Sequence, residues 1–439
     1  MLLVWMISLG GCPEAKDPLD EKLEGEIVEH NLRPLEKPAE QSAAKIELGR
    51  TLFFDRILSG NRDVSCATCH HPDHHTADSR ELSAGVGGEG LGPDRVLAAG
   101  RELTPRNAPS LFNQGDSAWH TRFWDGRIEI YASGEIRTPA AGSLPPGLDN
   151  IAAVQAMFPV TSREEMRGER GDVDIDGQPN EIAEQYDSEH GQIWGKLMLR
   201  LIEIPRYREL FAAAYPDIEP EQLGFEHAAN AIAAFEIKAF TLTESPFDRY
   251  LAGDKDALSE DAKKGAVLFF GEAGCGQCHS GPLLTDQKFY NIGAPQLGPG
   301  KEPEVPLDNG RARVSLSPED THKFRTPSLH NVADTAPYLH SGAFHKLEDV
   351  ILHHMDPRSS YLAYDATMLA EPLRDTVLMD EQYRERLLAS VSPEFAVVPD
   401  LSAEQIRLLV SFLEALSSPK LQQLERWVPE QVPSGLPID

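Results

Sequence analysis

A chain of 439 residues, 41% of them hydrophobic, can bury a substantial core, and its length favours two or three domains over one. With 41 basic against 70 acidic residues it carries a formal charge of -29, which repels nucleic acid and anionic membrane surfaces and leaves cationic partners. Wholesale disorder and nucleic-acid binding are both set aside on these grounds.

Residues 1–9 form a short apolar run ending in Leu9-Gly10-Gly11-Cys12, which resembles a bacterial lipoprotein signal with its lipid-accepting cysteine. The run is too short to span a bilayer and lacks a basic leading region, and an ordinary buried segment is the competing reading. Residues 13–26 show no hydrophobic period and read as a tether, so residues 1–26 are expected to be signal and tether.

Two strings then recur in order. Ala43-Ala44-Lys45-Ile46-Glu47-Leu48-Gly49-Arg50-Thr51-Leu52-Phe53-Phe54 and Ala262-Lys263-Lys264-Gly265-Ala266-Val267-Leu268-Phe269-Phe270 share Gly-x-x-Leu-Phe-Phe on an amphipathic helix. Each is followed by Cys-x-x-Cys-His, at Cys66, Cys69 and His70 and again at Cys275, Cys278 and His279. Next come Pro109-Ser110-Leu111-Phe112-Asn113 and Pro327-Ser328-Leu329-His330-Asn331, then the loops Phe123-Trp124-Asp125-Gly126 and Leu339-His340-Ser341-Gly342. Recurrence in one order argues for two copies of a module built as helix, cysteine motif, long loop and helix. Between the copies, residues 225–243 are Ala-rich with apolar positions at helical spacing, and Ser259 opens the next helix. Strand signals are sparse, and glycine and proline gather in residues 85–109, 138–147 and 293–310. The expected fold is mainly α, with two cytochrome c-like domains in tandem and long ordered loops: residues 27–222, residues 223–420, and a tail of residues 421–439.

Cysteines three residues apart on one helical turn can form two thioethers to a haem, and the adjacent histidine then points its imidazole at the iron. The rival is a zinc site made from both cysteine pairs, which explains neither the two histidines nor the repeated module. Two covalently bound haem c groups are therefore expected, in a compartment outside the cytoplasm.

At these motifs the chain resembles the bacterial di-haem cytochrome c peroxidase family, including its MauG branch. The resemblance runs from about residue 43 to residue 416. It rests on Arg106-Asn107-Ala108-Pro109-Ser110, Arg122-Phe123-Trp124-Asp125-Gly126-Arg127, the stretch from Gln155-Ala156 to Glu165-Met166, Phe324-Arg325-Thr326-Pro327 and Thr335-Ala336-Pro337-Tyr338. It implies a peroxidatic haem in the N-terminal half and an electron-transfer haem in the C-terminal half. It further implies Trp124 as an electron relay between them, a calcium ion bound by Asn107, Thr335 and Pro337, and a distal pocket with Glu165 as catalytic carboxylate beside Gln155 and Pro159. A carboxylate suits the task, because breaking the O–O bond of a peroxide requires a proton to be moved between its oxygens. Taken alone, Glu165 could equally sit on a solvated helix face and Trp124 in an ordinary core.

The sequence departs from the family pattern twice. Where ordinary members carry a histidine that caps the peroxidatic iron, this chain reads Leu82-Ser83-Ala84-Gly85-Val86-Gly87, and valine cannot ligate iron. His71, His74 and His75 lie too close to His70 in sequence to reach the opposite haem face easily. At the second haem the family places methionine or tyrosine twelve residues after the glycine matching Gly342, and the count gives His354, with Met355 as the alternative and His353 packed or solvent-facing.

The expected function is reduction of hydrogen peroxide to water at the first haem, with electrons from a small cytochrome or cupredoxin relayed through the second. A MauG-like enzyme that oxidises side chains of a partner protein is the alternative, and a non-catalytic di-haem electron carrier is the reading from another class. The expected location is the periplasm or cell envelope, with membrane contact only through a lipid anchor at Cys12.

Overall fold

The computed structural model describes residues 17–395 and 399–439. Cys12 and the apolar run before it lie outside the described residues.

Two apolar cores organise the chain, and each is built on a crossing of two helices. In the first core, helix Ala43–Phe54 crosses helix Phe225–Phe240; in the second, helix Glu260–Phe270 crosses helix Ala403–Glu414. The repeated glycine makes both crossings possible. A Cβ at Gly49 would lie 1.8 Å from the Ala231 carbonyl oxygen, and one at Gly265 would lie 2.0 Å from that of Leu408. Either side chain would force the helices apart, so glycine is required for the close approach. The aromatic pair after each glycine fills the space beside the crossing. Phe53 packs against Phe235 with ring centroids 5.2 Å apart, and Phe269 against Phe412 at the same separation. Serine side chains open the helices, with Ser259 accepting from the Ala262 N–H and Ser402 forming a capping box with Gln405.

The fold is mainly helical, as the sparse strand signals imply, and its strands are short. Thr121–Arg122, Ile128–Ile130 and Ile136–Arg137 form an antiparallel sheet whose first turn carries residues 123–127. Phe289–Tyr290 pairs with Phe324–Arg325.

Packing divides the chain differently from its order in sequence. Helix Phe225–Phe240, which lies after residue 222, contributes to the first core, as do Leu421, Leu424 and Val432 of the tail. Residues expected to form a tether instead include helix Pro18–Glu29, capped by Asp17, with Leu23 wholly buried in the second core. Its weak apolar period is compensated by polar anchors: Asp20 pairs with Lys263 at 2.7 Å and accepts from the Tyr250 hydroxyl at 2.8 Å. His30, just beyond the helix, contacts the carbonyls of Phe270 and Gly276.

A small third cluster joins the modules, setting Leu82 against Leu297, Ala343 and Phe344. Arg106 runs through this seam as its main polar tie. It donates to both oxygens of Asp308 at 2.6 and 2.9 Å and pairs with Asp125 at 2.7 Å, all three side chains being buried. No described helix is long and apolar enough to cross a membrane.

Candidate haem cavities and the seam between them

Each cysteine motif opens onto its own cavity. The first, of about 140 Å³, is lined by Cys66, Cys69, His70, Gln155, Pro159 and Glu165. The second, of about 300 Å³, is lined by Cys275, Cys278, His279, His354 and Met355. The two cysteine pairs thus do not converge on one four-sulfur site. The four motif cysteines are free, and burial pushes the Cys66 and Cys275 thiols up to about 12.

The motif histidines are held alike. His70 Nδ1 donates to the Thr76 carbonyl at 2.9 Å, and His279 Nδ1 donates to the Leu284 carbonyl at 3.1 Å. That bond fixes each ring and leaves Nε2 as the nitrogen available to a metal. Free thiols, a preset imidazole and a cavity at each motif fit a covalently bound haem.

Around the first cavity, Asn150 caps helix Ile151–Ala156, which carries Gln155. Glu165 lies in a π-type turn, Arg163–Arg167, where Gly168 N–H reaches back to the Arg163 carbonyl. Such turns are rare and often mark functional positions. The carboxyl of Glu165 is pushed above the usual range by burial and by Glu164, while Arg127, 3.9 Å away, and Lys301 pull it down.

Val86 is 3% exposed and its N–H donates to the Glu164 carbonyl. Its loop is clamped from behind by Arg95, which donates to the carbonyls of Ala84, Gly85 and Gly90. Gly85 is obligatory here, since a Cβ would meet the Glu164 carbonyl oxygen at 2.0 Å. His71, His74 and His75 face elsewhere: His71 contacts the Asp439 carbonyl, His74 contacts Ser79, and His75 reaches the Asp334 carbonyl. His70 is the sole histidine among the described residues lining the first cavity.

At the second cavity the histidine pair on helix Leu347–Met355 separates clearly. His353 is fully buried with both ring nitrogens engaged, by the Ser360 hydroxyl and the Ile292 carbonyl. His354 uses only Nδ1, which donates to the Val350 carbonyl at 2.8 Å, and its ring joins the cavity wall beside Met355. Burial and the nearby His354 push the His279 imidazole down to about 4, keeping it neutral.

Trp124 lines both cavities. Its indole N–H donates to the Asn107 carbonyl at 2.9 Å, and its own carbonyl accepts from the Arg325 N–H at 2.7 Å. Asn107 in turn bridges the modules, its N–H donating to the His340 carbonyl and its side-chain amide to the Arg80 carbonyl. Thr335 turns its hydroxyl back to the Val332 carbonyl, and Pro337 follows a cis peptide.

Three groups on the first cavity were not singled out by sequence. Arg127 lay inside a quoted string without a role. Lys301 arrives from a loop of the second module, and Glu236 from helix Phe225–Phe240, its carboxyl pushed up to about 8 by burial. A lysine 231 positions after His70 leaves no local signal.

Residues 43–256 match the family model described as di-haem cytochrome c peroxidase. The methylamine utilization protein MauG of Methylorubrum extorquens is 32% identical over 312 residues, covering 71% of this chain and 68% of the relative. Cytochrome c551 peroxidase of Pseudomonas aeruginosa is 32% identical over 309 residues, covering 70% of each. The crystal structure of a MauG-like protein associated with microbial copper homeostasis superposes with a TM-score of 0.58 at 26% identity, covering 89% of this chain and 94% of that one. The diheme peroxidase BthA from Burkholderia thailandensis gives 0.59 at 19% identity and 91% coverage of both chains, a likeness of fold.

Proposed function

Because the chain belongs to the di-haem cytochrome c peroxidase family, whose members are oxidoreductases with two c-type haems, we propose that it reduces hydrogen peroxide to water in the first cavity, using electrons delivered through the second. The observation that carries this assignment of roles is the unequal lining of the cavities. The first has His70 as its one lining histidine, with Glu165 and Gln155 among its polar groups; the second is lined by four, His279, His322, His340 and His354, of which His354 shares with Met355 the wall beside the motif.

In this reading Cys66, Cys69 and His70 hold one haem, and Cys275, Cys278, His279 and His354 hold the other, with Met355 the alternative to His354. When bound, the first haem supplies an iron that binds peroxide, and the second supplies a reservoir for electrons. The chain's own residues do the rest. Glu165 accepts a proton from one peroxide oxygen and returns it to the other as the bond breaks, so that two electrons and two protons convert one peroxide to two waters. Gln155 orients the peroxide by hydrogen bonding, and Trp124 carries electrons between the cavities whose walls it shares. Asn107, Thr335 and Pro337 would supply the oxygen donors for a calcium ion at the seam, where it would brace the two modules against each other.

Packing of Val86 favours a second reading within the family. With valine at that position this loop would supply no side chain to cap a haem iron, so a haem there would need no reductive activation, which suits a MauG-like enzyme drawing electrons from side chains of a partner protein. The net charge of -29 selects a cationic donor or substrate for either reading. Work in the periplasm or cell envelope, with a lipid anchor at Cys12, completes the proposal.

The test is the ferric spectrum of the holoprotein, expected to show one high-spin and one low-spin haem, together with peroxide turnover. Replacing Cys66 and Cys69 together should remove one haem and essentially all turnover. Two low-spin haems without turnover would instead identify an electron carrier.

A further inference from the structure

Lys301 belongs to the second module's glycine- and proline-rich loop, yet it lines the first cavity. Its main chain is fixed on both sides. The Lys301 N–H donates to the Leu307 carbonyl at 2.8 Å, and Arg313 donates to the Lys301 carbonyl at 3.2 Å. Gly300 makes the turn possible at φ +74, where a Cβ would lie 2.3 Å from the Pro306 carbonyl carbon. The ammonium is thereby delivered to a set place, 3.6 Å from Glu164 Oε1. Glu164 and Glu165 are neighbours in one turn, so the charge on the first acts directly on the second.

We propose that Lys301 is a positioning residue of the peroxide site: its ammonium neutralises Glu164 so that Glu165 works as the proton acceptor, and acid–base chemistry in the first cavity comes to depend on the second module being docked. This rests on the reading of Glu165 as the proton-transfer group.

A merely mechanical role fits poorly. An ion pair at 3.6 Å is a weak clip, and the seam is already tied by the buried Arg106–Asp308 pair. Burying an ammonium is costly, and burial together with Arg127 does lower its proton affinity, while Glu164 and Glu165 oppose that. The charged groups facing the pair are Arg127 and, farther off, Arg106, Arg313 and Asp125. Without the ammonium, Glu164 stands less compensated beside Glu165, and the neighbouring carboxyl must hold its proton to higher pH.

The experiment compares Lys301→Met, Lys301→Arg and the Lys301→Met/Glu164→Gln pair in holoprotein. Two readouts are used: the pH profile of kcat/KM for peroxide, and the infrared carbonyl band of protonated Glu165, identified by its loss in Glu165→Gln. Lys301→Met should move both titrations up by about one unit, costing roughly tenfold in rate on the acid side, with the loss shrinking toward the alkaline plateau. Arg should keep the native profile, and removal of Glu164 should restore it. A loss equal at every pH, with the infrared titration unmoved, would overturn the proposal and leave a mechanical clip. If Glu165→Gln itself leaves peroxide cleavage unchanged, the underlying reading fails instead.

Discussion

Replacing Arg106 by methionine probes the seam where the two modules meet. In the native protein, Arg106 makes two hydrogen bonds to Asp308 and an ion pair with Asp125, and the two aspartates are 1% and 2% exposed. Methionine fills similar space but strands the buried Asp308 carboxylate and leaves Asp125 only its weaker pair with Arg127 at 3.3 Å. Breaking a buried pair from one side costs about 3–5 kcal/mol, because the surviving charge is stranded. For modules of roughly 200 residues that corresponds to a fall in Tm of about 6–20 °C. The sign of the pH response follows. Arg106, helped at Asp125 by Arg127, holds both aspartates below the usual carboxylate range, overcoming the burial that would raise them. Native stability from these groups is present above the unfolded value of about 3.9 and fades as pH falls through the depressed folded values. In Arg106→Met burial dominates at Asp308, its folded value rises above the unfolded one, and the loss of stability relative to native should shrink on going from pH 8 to pH 5. Thermal unfolding of Arg106→Met, Asp308→Asn and the double variant tests this, the double variant being expected to cost less than the sum of the singles. A loss below about 1 kcal/mol, or strict additivity, would refute the claim that this pair joins the modules.

Glu165→Gln should keep both haems and slow peroxide cleavage by about two to four orders of magnitude, the weight of a positioned proton-transfer group, read by stopped flow. Since burial raises Glu165, the acid limb of the native kcat/KM profile should lie above the value of about 4.3 typical of an exposed glutamate. His354→Ala should convert a low-spin ferric haem to high-spin while Met355→Ala leaves its spectrum nearly unchanged; the reverse result would move the ligand by one residue. Gly265→Val should abolish folding of the second core, because the side chain meets the Leu408 backbone, whereas Gly195→Ala, on helix His190–Glu203 with open space around its Cβ, should be far milder, as judged by circular dichroism.

What the sequence disclosed was whatever is written locally. Both haem motifs, the Gly-x-x-Leu-Phe-Phe helices and the helical character are short-range patterns, and helix Phe225–Phe240 stood out by its alanines. Its allegiance did not, since Gly49 meets Ala231 only through a crossing between segments about 180 positions apart. The same holds for Lys301 and for Arg106 with Asp308, whose meaning depends on loops brought together by the seam. Helix Pro18–Glu29 was read as a tether because its single buried leucine gives too faint a period, while the ion pair and hydroxyl bond that hold it come from residues 250 and 263. Residues 353–355 illustrate the limit within one turn of helix: the count leads to this turn, and only the Ser360 and Ile292 partners of His353 distinguish it from His354.

The path of the chain carries an implication for biogenesis. Residues 419–439 return from the second module to the first, where Leu421 and Leu424 enter its core and the Asp439 carboxylate accepts from the Ser65 and Thr68 hydroxyls flanking Cys66. Helix Pro18–Glu29 makes the opposite journey and packs beside the second motif. During synthesis the first Cys-x-x-Cys-His segment therefore emerges long before the residues that brace it. Until residues 419–439 arrive, Cys66 and Cys69 lack part of the packing that surrounds them in the finished fold, so the two thiols are more accessible in the growing chain than in the completed one.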